Sequence, residues 1–207
     1  MTGNEAKRLQ HRTEQLLAES GETYAHEAGI PLKDTPSPLY RLLVLSTLLS
    51  TRISASIAVA AARELSKAGW RTPRSMAAAS WQNVVDALGR AHYKRYDEST
   101  ATALNEGARL LIDRWHGDLR RLRKEADGDP DRIRELLQGF PRIGPVGADI
   151  FCREAQGVWP ELRPAFDSRA LTGARKNHLP EDPARLEDLV PPKDLPRLAA
   201  ALVRSTL

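Results

Sequence analysis

The sequence has very little cysteine, few aromatic residues and no long apolar run. Its 207 residues include one cysteine, Cys152, so the chain cannot form an internal disulfide or a four-cysteine zinc or iron–sulfur site. Because Cys152 lies in an apolar helical run, we expect a buried, unreactive thiol. The apolar stretch PLYRLLVLSTLLS contains Arg41 and is too short to cross a bilayer. The polar N-terminus lacks the apolar segment of a signal peptide, so we expect a cytoplasmic protein.

Positive charge comes mainly from arginine. The chain has 24 Arg and only 7 Lys, carries a net charge of +4, and has no lysine between Lys124 and Lys176. The guanidinium fork matches phosphate oxygens, so this enrichment suits a polyanionic partner. It is equally typical of a GC-rich genome, and composition leaves both explanations open. The histidines have no metal-ligand spacing, so we expect no zinc site.

Strand-like alternation of apolar and polar residues is absent, and signals for helix starts recur instead. Each signal pairs an N-cap residue with a proline at the first helical position. These pairs are Ser37-Pro38, Thr72-Pro73, Asp129-Pro130 and Asp182-Pro183. The helix beginning near Pro38 is apolar on nearly every side and should be central and buried. Residues 120–130 are polar and predict a surface loop. The sequence therefore predicts an all-α protein.

The stretch GFPRIGPVGADI, residues 139–150, predicts a tight turn between two helices. Gly144 can adopt a positive φ, which allows a sharp reversal, and Pro145 is preset for the first turn of the second helix. The free amides and partial positive charge at that helix start can bind a phosphate, and Arg142 adds a full charge. The same residues also fit an ordinary turn between helices.

Taken together, four segments resemble the helix-hairpin-helix/Gly-Pro-Asp superfamily of DNA base-excision glycosylases, in particular its endonuclease III branch. The segments are SPLYRLLVLSTLLSTR, ALGRAHYKR, LLQGFPRIGPVGADI and RPAFDSRAL, and the resemblance runs from about Ser37 to about Leu195. It implies a helical fold in two parts with a cleft between them. Residues 37–156 would form a bundle that contains the hairpin, and residues 1–36 and 157–207 would form the second part.

The resemblance places the catalytic aspartate at Asp167. Its carboxylate would stabilise positive charge on the sugar or activate water while the N-glycosidic bond breaks. Asp167 is equally suited to cap the helix beginning at Ser168, and both roles can coexist. At the position of the family's reactive lysine the chain has Val146, which cannot form an imine. We therefore expect either a monofunctional glycosylase that uses water or a DNA-binding relative without chemistry; a helical scaffold with no nucleic-acid role is a third hypothesis.

The remaining site residues also follow from the resemblance. The predicted DNA contacts are Arg142, Ile143, Gly144, Val146 and Gly147 in the hairpin, together with Arg52, Arg90 and Lys94. Arg52 would fill the gap left by an extruded base, and Tyr93 and Tyr96 would line the base pocket or, alternatively, belong to the core. We expect no iron–sulfur cluster or other cofactor, although Na⁺ or K⁺ at hairpin carbonyls is implied. The expected partner is double-stranded DNA with a damaged or abasic site, bound by a monomer.

Overall fold

The computed structural model describes residues 3–207, and within them the secondary structure is entirely helical. The α-helices are α1 (Gly3–Ser20), α2 (Tyr24–Glu27), α3 (Pro36–Leu49), α4 (Ala55–Lys67), α5 (Pro73–Ala77), α6 (Trp81–Arg90), α7 (Asp97–Trp115), α8 (Leu119–Glu125), α9 (Pro130–Leu137), α10 (Pro145–Ala155), α11 (Ser168–Lys176), α12 (Pro183–Glu187) and α13 (Leu195–Arg204). Single 3₁₀ turns cover Pro160–Leu162 and Pro192–Asp194. The expected all-α fold is confirmed.

Three of the four predicted proline signals mark helix starts. Thr72 caps α5, Asp129 caps α9 and Asp182 caps α12, each through a side-chain oxygen that accepts a backbone amide of the first turn. The prediction for Ser37 is wrong, because α3 begins two residues earlier than expected, at Pro36, with Thr35 at the N-cap position. The hydroxyl of Ser37 instead donates to the carbonyl of Arg71, 2.9 Å away.

The predicted surface loop over residues 120–130 is also wrong in part, because its first half is helix α8. Asp118 caps this helix by accepting the amide of Arg120 at 3.0 Å. Leu119 and Leu122 are fully buried, and they lie three residues apart on one helical face. The polar composition of the segment does not predict this helix. Two buried leucines are enough to hold its two turns against the core.

The chain divides into two compact units, and Ala25–Phe151 forms the first. Helix α3 is the centre of this unit, with Leu39, Leu42, Leu45 and Leu48 fully buried. It packs against α4 and α8, while α5 and α6 pack against α7. The expectation that α3 is a central helix, buried on nearly every side, is confirmed.

The second unit comprises Met1–Tyr24 and Cys152–Leu207. Helix α13 packs against both α1 and α11. Gly173 allows the closest approach, because a β-carbon there would lie 2.0 Å from the carbonyl oxygen of Leu202. Cys152 is fully buried, as the sequence indicates. No helix within residues 3–207 is long and apolar enough to cross a membrane.

Candidate functional site

The predicted hairpin is present, with α9 and α10 joined by a short turn over residues 138–144. Phe140 anchors the turn, since it is buried and its ring stacks on Trp115 with centroids 5.6 Å apart. Phe140 then accepts the amide of Ile143 at 3.0 Å, and Gly144 accepts the amide of Ala148 at 3.0 Å. These bonds close the turn and start α10.

The turn reverses at Arg142 and not at Gly144. Arg142 has φ +63°, whereas Gly144 is outside the left-handed region, so the expected conformational role of Gly144 is wrong. A non-glycine residue in this region costs about 1 kcal/mol. The Arg142 side chain is exposed and held in place: its guanidinium donates to the Ser99 hydroxyl at 2.6 Å and lies over the Tyr96 ring, 5.5 Å from the centroid. The cation is thus positioned before any ligand arrives.

The other hairpin residues separate into exposed and buried positions. Gly144 and Val146 are exposed, and Val146 has 62% of its surface accessible. Ile143 is buried, and its amide already donates to Phe140, so neither its side chain nor its amide is available to a phosphate. Gly147 is also buried, and a β-carbon there would lie 3.2 Å from Ile143 and 3.5 Å from Ser50. The absence of a side chain at Gly147 therefore allows close packing of α10. The amides of Val146 and Gly147 precede the first intrahelical hydrogen bond, so they have no partner within the helix.

A monovalent cation at the hairpin would need carbonyl oxygens as ligands. The carbonyls of Phe140 and Gly144 accept amides within the turn, whereas those of Pro141 and Ile143 accept no hydrogen bond from the described residues. The turn therefore has oxygens suited to Na⁺ or K⁺, and binding stays a prediction. Within residues 3–207, no group of three or more His, Cys, Asp or Glu side chains is arranged to hold a metal ion.

Asp167 lies at the N-cap of α11, in the second unit. One carboxylate oxygen accepts the amide of Ala170 at 2.8 Å, which satisfies a free amide of the first turn. The other oxygen accepts a hydrogen bond from the guanidinium of Arg153, in a salt bridge whose side chains are 11% and 4% exposed. Both carboxylate oxygens are thus engaged, and a small part of the side chain reaches the surface.

Arg153 belongs to a buried cluster of polar groups. Its Nε has no hydrogen-bond partner among residues 3–207, and the adjacent Glu154 accepts the backbone amide of Tyr24 at 3.1 Å. The guanidinium of Arg204 lies over the Tyr24 ring, 4.2 Å from the centroid. Burial raises the pKa of the Tyr24 phenol, against the opposing effect of the Arg204 and Arg153 charges. Arg153 thus connects Asp167 to a cluster that holds charges of both signs.

The residues predicted to meet the damaged strand have different environments. Tyr93 is fully buried, and its hydroxyl contacts the hydroxyls of Thr51 at 2.9 Å and Thr100 at 3.4 Å. It is a core residue, which agrees with the alternative interpretation and rules out a stacking surface. Arg52 and Lys94 are exposed, and the exposed Arg90 forms a salt bridge to Glu64 at 3.1 Å.

Tyr96 lies between the hairpin and a surface recess of the first unit. Its ring carries two guanidinium groups, those of Arg142 and of Arg95, the latter 5.3 Å from the centroid. The recess has a volume of about 440 Å³. It is lined by Trp81, Arg95, Tyr96, Asp97, Glu98, Ser99 and Thr102.

Comparison with solved structures identifies the fold. A trapped endonuclease III–DNA covalent intermediate, in its estranged-adenine complex, aligns with a TM-score of 0.57 at 15% identity, over 98% of this chain and 85% of that one. A non-covalent endonuclease III–DNA complex aligns with a TM-score of 0.56 at 16% identity over the same shares. Neither the family models nor the curated proteins give a match. The chain therefore has an endonuclease III-like helical fold, as the sequence resemblance implied.

Sequence reasoning missed two residues at these sites. Arg153 is one of many arginines, and nothing in its local sequence distinguishes an arginine that pairs with Asp167 fourteen positions later. Trp81 follows the capping residue Ser80 at the start of α6. Its spacing of three and seven residues from the buried Val84 and Leu88 predicts a place on the apolar face, so local sequence gives no signal for an exposed ring.

Proposed function

We propose that this protein binds duplex DNA and hydrolyses the N-glycosidic bond of a damaged or mispaired base, with Asp167 as the carboxylate. The observation that carries the proposal is the endonuclease III-like fold, which extends over 98% of the chain. The exposed tip of that hairpin, with Arg142 held in place beside it, suits the DNA backbone. With Val146 where relatives have a lysine, water would be the nucleophile.

The salt bridge sets the electrostatic contribution that Asp167 can make. A lone carboxylate about 4 Å from a cationic sugar stabilises it by about 4 kcal/mol at an effective dielectric constant near 20. A guanidinium on the far side of the carboxylate, about 8 Å from the sugar, opposes this by about 2 kcal/mol. The remaining 2 kcal/mol corresponds to a rate factor of about 30. Catalysis through Asp167 would thus be modest unless Arg153 moves away when DNA binds.

The same salt bridge favours a second candidate function, a DNA-binding protein without chemistry. In that case Asp167 caps α11 and neutralises the buried Arg153, and both of its oxygens stay in use. The hairpin would bind duplex DNA in either case. The two functions differ only in whether a base is released.

The test is base release from a panel of duplexes, each with one modified or mispaired base. Products are treated with alkali, which breaks the strand at abasic sites, and compared with untreated samples. We expect alkali-dependent breaks for at least one duplex, and a loss of rate of about 30-fold for Asp167→Asn if Arg153 stays in place. Duplex binding with no breaks across the panel would support the second candidate. The absence of both breaks and salt-dependent binding would leave the scaffold hypothesis.

A further inference from the structure

Trp81 is an exposed indole whose orientation is fixed from one edge. The residue is 41% exposed, whereas Trp115 and Trp159 are almost fully buried. The indole Nε1 donates to the Thr102 hydroxyl at 3.1 Å and to the carbonyl of Glu98 at 3.3 Å. Both acceptors belong to α7, so α6 and α7 together hold the ring. A ring held in this way loses little conformational entropy when a ligand stacks on it.

The recess beside Trp81 offers polar groups of both kinds. Asp97 presents a carboxylate, and Arg95 presents a donor and a positive charge. The hydroxyls of Ser99 and Thr102 are already engaged, since they accept from Arg142 and Trp81 and donate to the carbonyls of Tyr96 and Glu98. Arg142 approaches from the hairpin, because its guanidinium donates to Ser99 and lies over Tyr96. The recess is thus continuous with the hairpin surface through Arg142. Its volume of about 440 Å³ falls within the range of small-ligand sites.

We propose that this recess, here called the Trp81 recess, binds one unpaired nucleotide, with the base stacked on the Trp81 indole. Arg95 and Arg142 would contact its phosphate, and the Asp97 carboxylate would accept the exocyclic amino group of the base. A bare phosphate fits less well, because Asp97 and Glu98 also line the recess. The inference deepens the proposed function, since it supplies a second contact to the DNA strand beside the hairpin, and it is independent of Asp167.

The test measures binding of a short single-stranded oligo-dC to the full-length protein, by fluorescence anisotropy at slightly alkaline pH. Stacking of one base contributes a factor of about 5 to 150 in affinity, so Trp81→Ala should weaken binding by that factor. Trp81→Phe should keep most of the affinity, because it retains an aromatic face. Gln82→Ala is the matched control, since Gln82 is exposed on the same helix and its side chain bonds to Asp86.

A second measurement keeps the test valid if Trp81→Ala is poorly folded. Oligo-dC should quench the tryptophan emission of the wild-type protein, and the quenching should be lost in Trp81→Phe, which leaves Trp70, Trp115 and Trp159 in place. Equal quenching in the two proteins, or equal affinity of wild type and folded Trp81→Ala, would overturn the proposal. These results are independent of base release, which is measured on lesion duplexes. Asp167→Asn should reduce base release and leave oligo-dC binding unchanged.

Discussion

The salt bridge between Asp167 and Arg153 can be tested by a double-mutant cycle. In Asp167→Asn the amide oxygen can still accept from Ala170, so the helix cap survives, but Arg153 is left unpaired at 4% exposure. Leaving a buried charge without its partner costs about 3–5 kcal/mol. Arg153→Met should lower the free energy of unfolding by about 3 kcal/mol, the lower limit of that range. The loss is smaller because Asp167 is more exposed than Arg153 and keeps its hydrogen bond from Ala170.

The double variant removes both charges and should cost much less than the sum of the two single changes. We expect a coupling free energy of at least about 2 kcal/mol, measured by urea unfolding followed by circular dichroism. The matched control is Arg175→Met with Glu181→Gln, a pair whose side chains are 71% and 45% exposed. Its coupling should be much smaller than that of Asp167 and Arg153, because water solvates both of its charges. Coupling near zero for Asp167 and Arg153 would refute the argument from burial.

The same variants separate the structural role of Asp167 from a catalytic one. If Arg153 weakens the effect of the carboxylate by about 2 kcal/mol, folded Arg153→Met should release base up to about 30-fold faster than wild type. Adding Asp167→Asn should then abolish the gain while restoring stability. A double variant as active as Arg153→Met would show that Asp167 serves the fold alone.

Three further predictions concern the glycines and the hairpin. Gly173→Ala should destabilise the protein by at least about 2 kcal/mol, because the new methyl group would clash with the backbone of Leu202. Gly89→Ala is the control: it has open space around it in α6, and it should be neutral or stabilising by up to about 1 kcal/mol. Equal melting temperatures for the two variants would contradict the close packing of α11 on α13. Borohydride should trap no covalent adduct between the wild-type protein and abasic DNA. Val146→Lys should form one if position 146 corresponds to the family's reactive lysine. An adduct with the wild-type protein would show that an amine from another part of the chain reaches the sugar. Arg142→Gly tolerates φ +63° and should reduce the salt dependence of duplex binding by about one phosphate contact, whereas an unchanged slope would remove Arg142 from the interface.

Local sequence was most informative where a short-range physical rule applied. Thr72, Asp129 and Asp182 cap helices because their side chains reach amides two or three residues ahead, without help from the rest of the fold. Helix α3 has apolar residues on nearly every side, so it has to be buried wherever it lies in the fold. Helix α8 was not predicted because its stability comes from the packing of Leu119 and Leu122. The local sequence does not show that α3 and α7 pack against this helix.

The sequence by itself determined the all-α class, the hairpin, the cap at Asp167 and the valine at position 146, since each depends on residue chemistry or on neighbours within one helical turn. Only the tertiary structure decided which of those groups are accessible. It buried Tyr93 and Ile143, left Trp81 exposed, and paired Asp167 with Arg153. Burial and charge pairing depend on what other segments bring to the same place, and the free energy of each buried group is therefore a property of the packed fold.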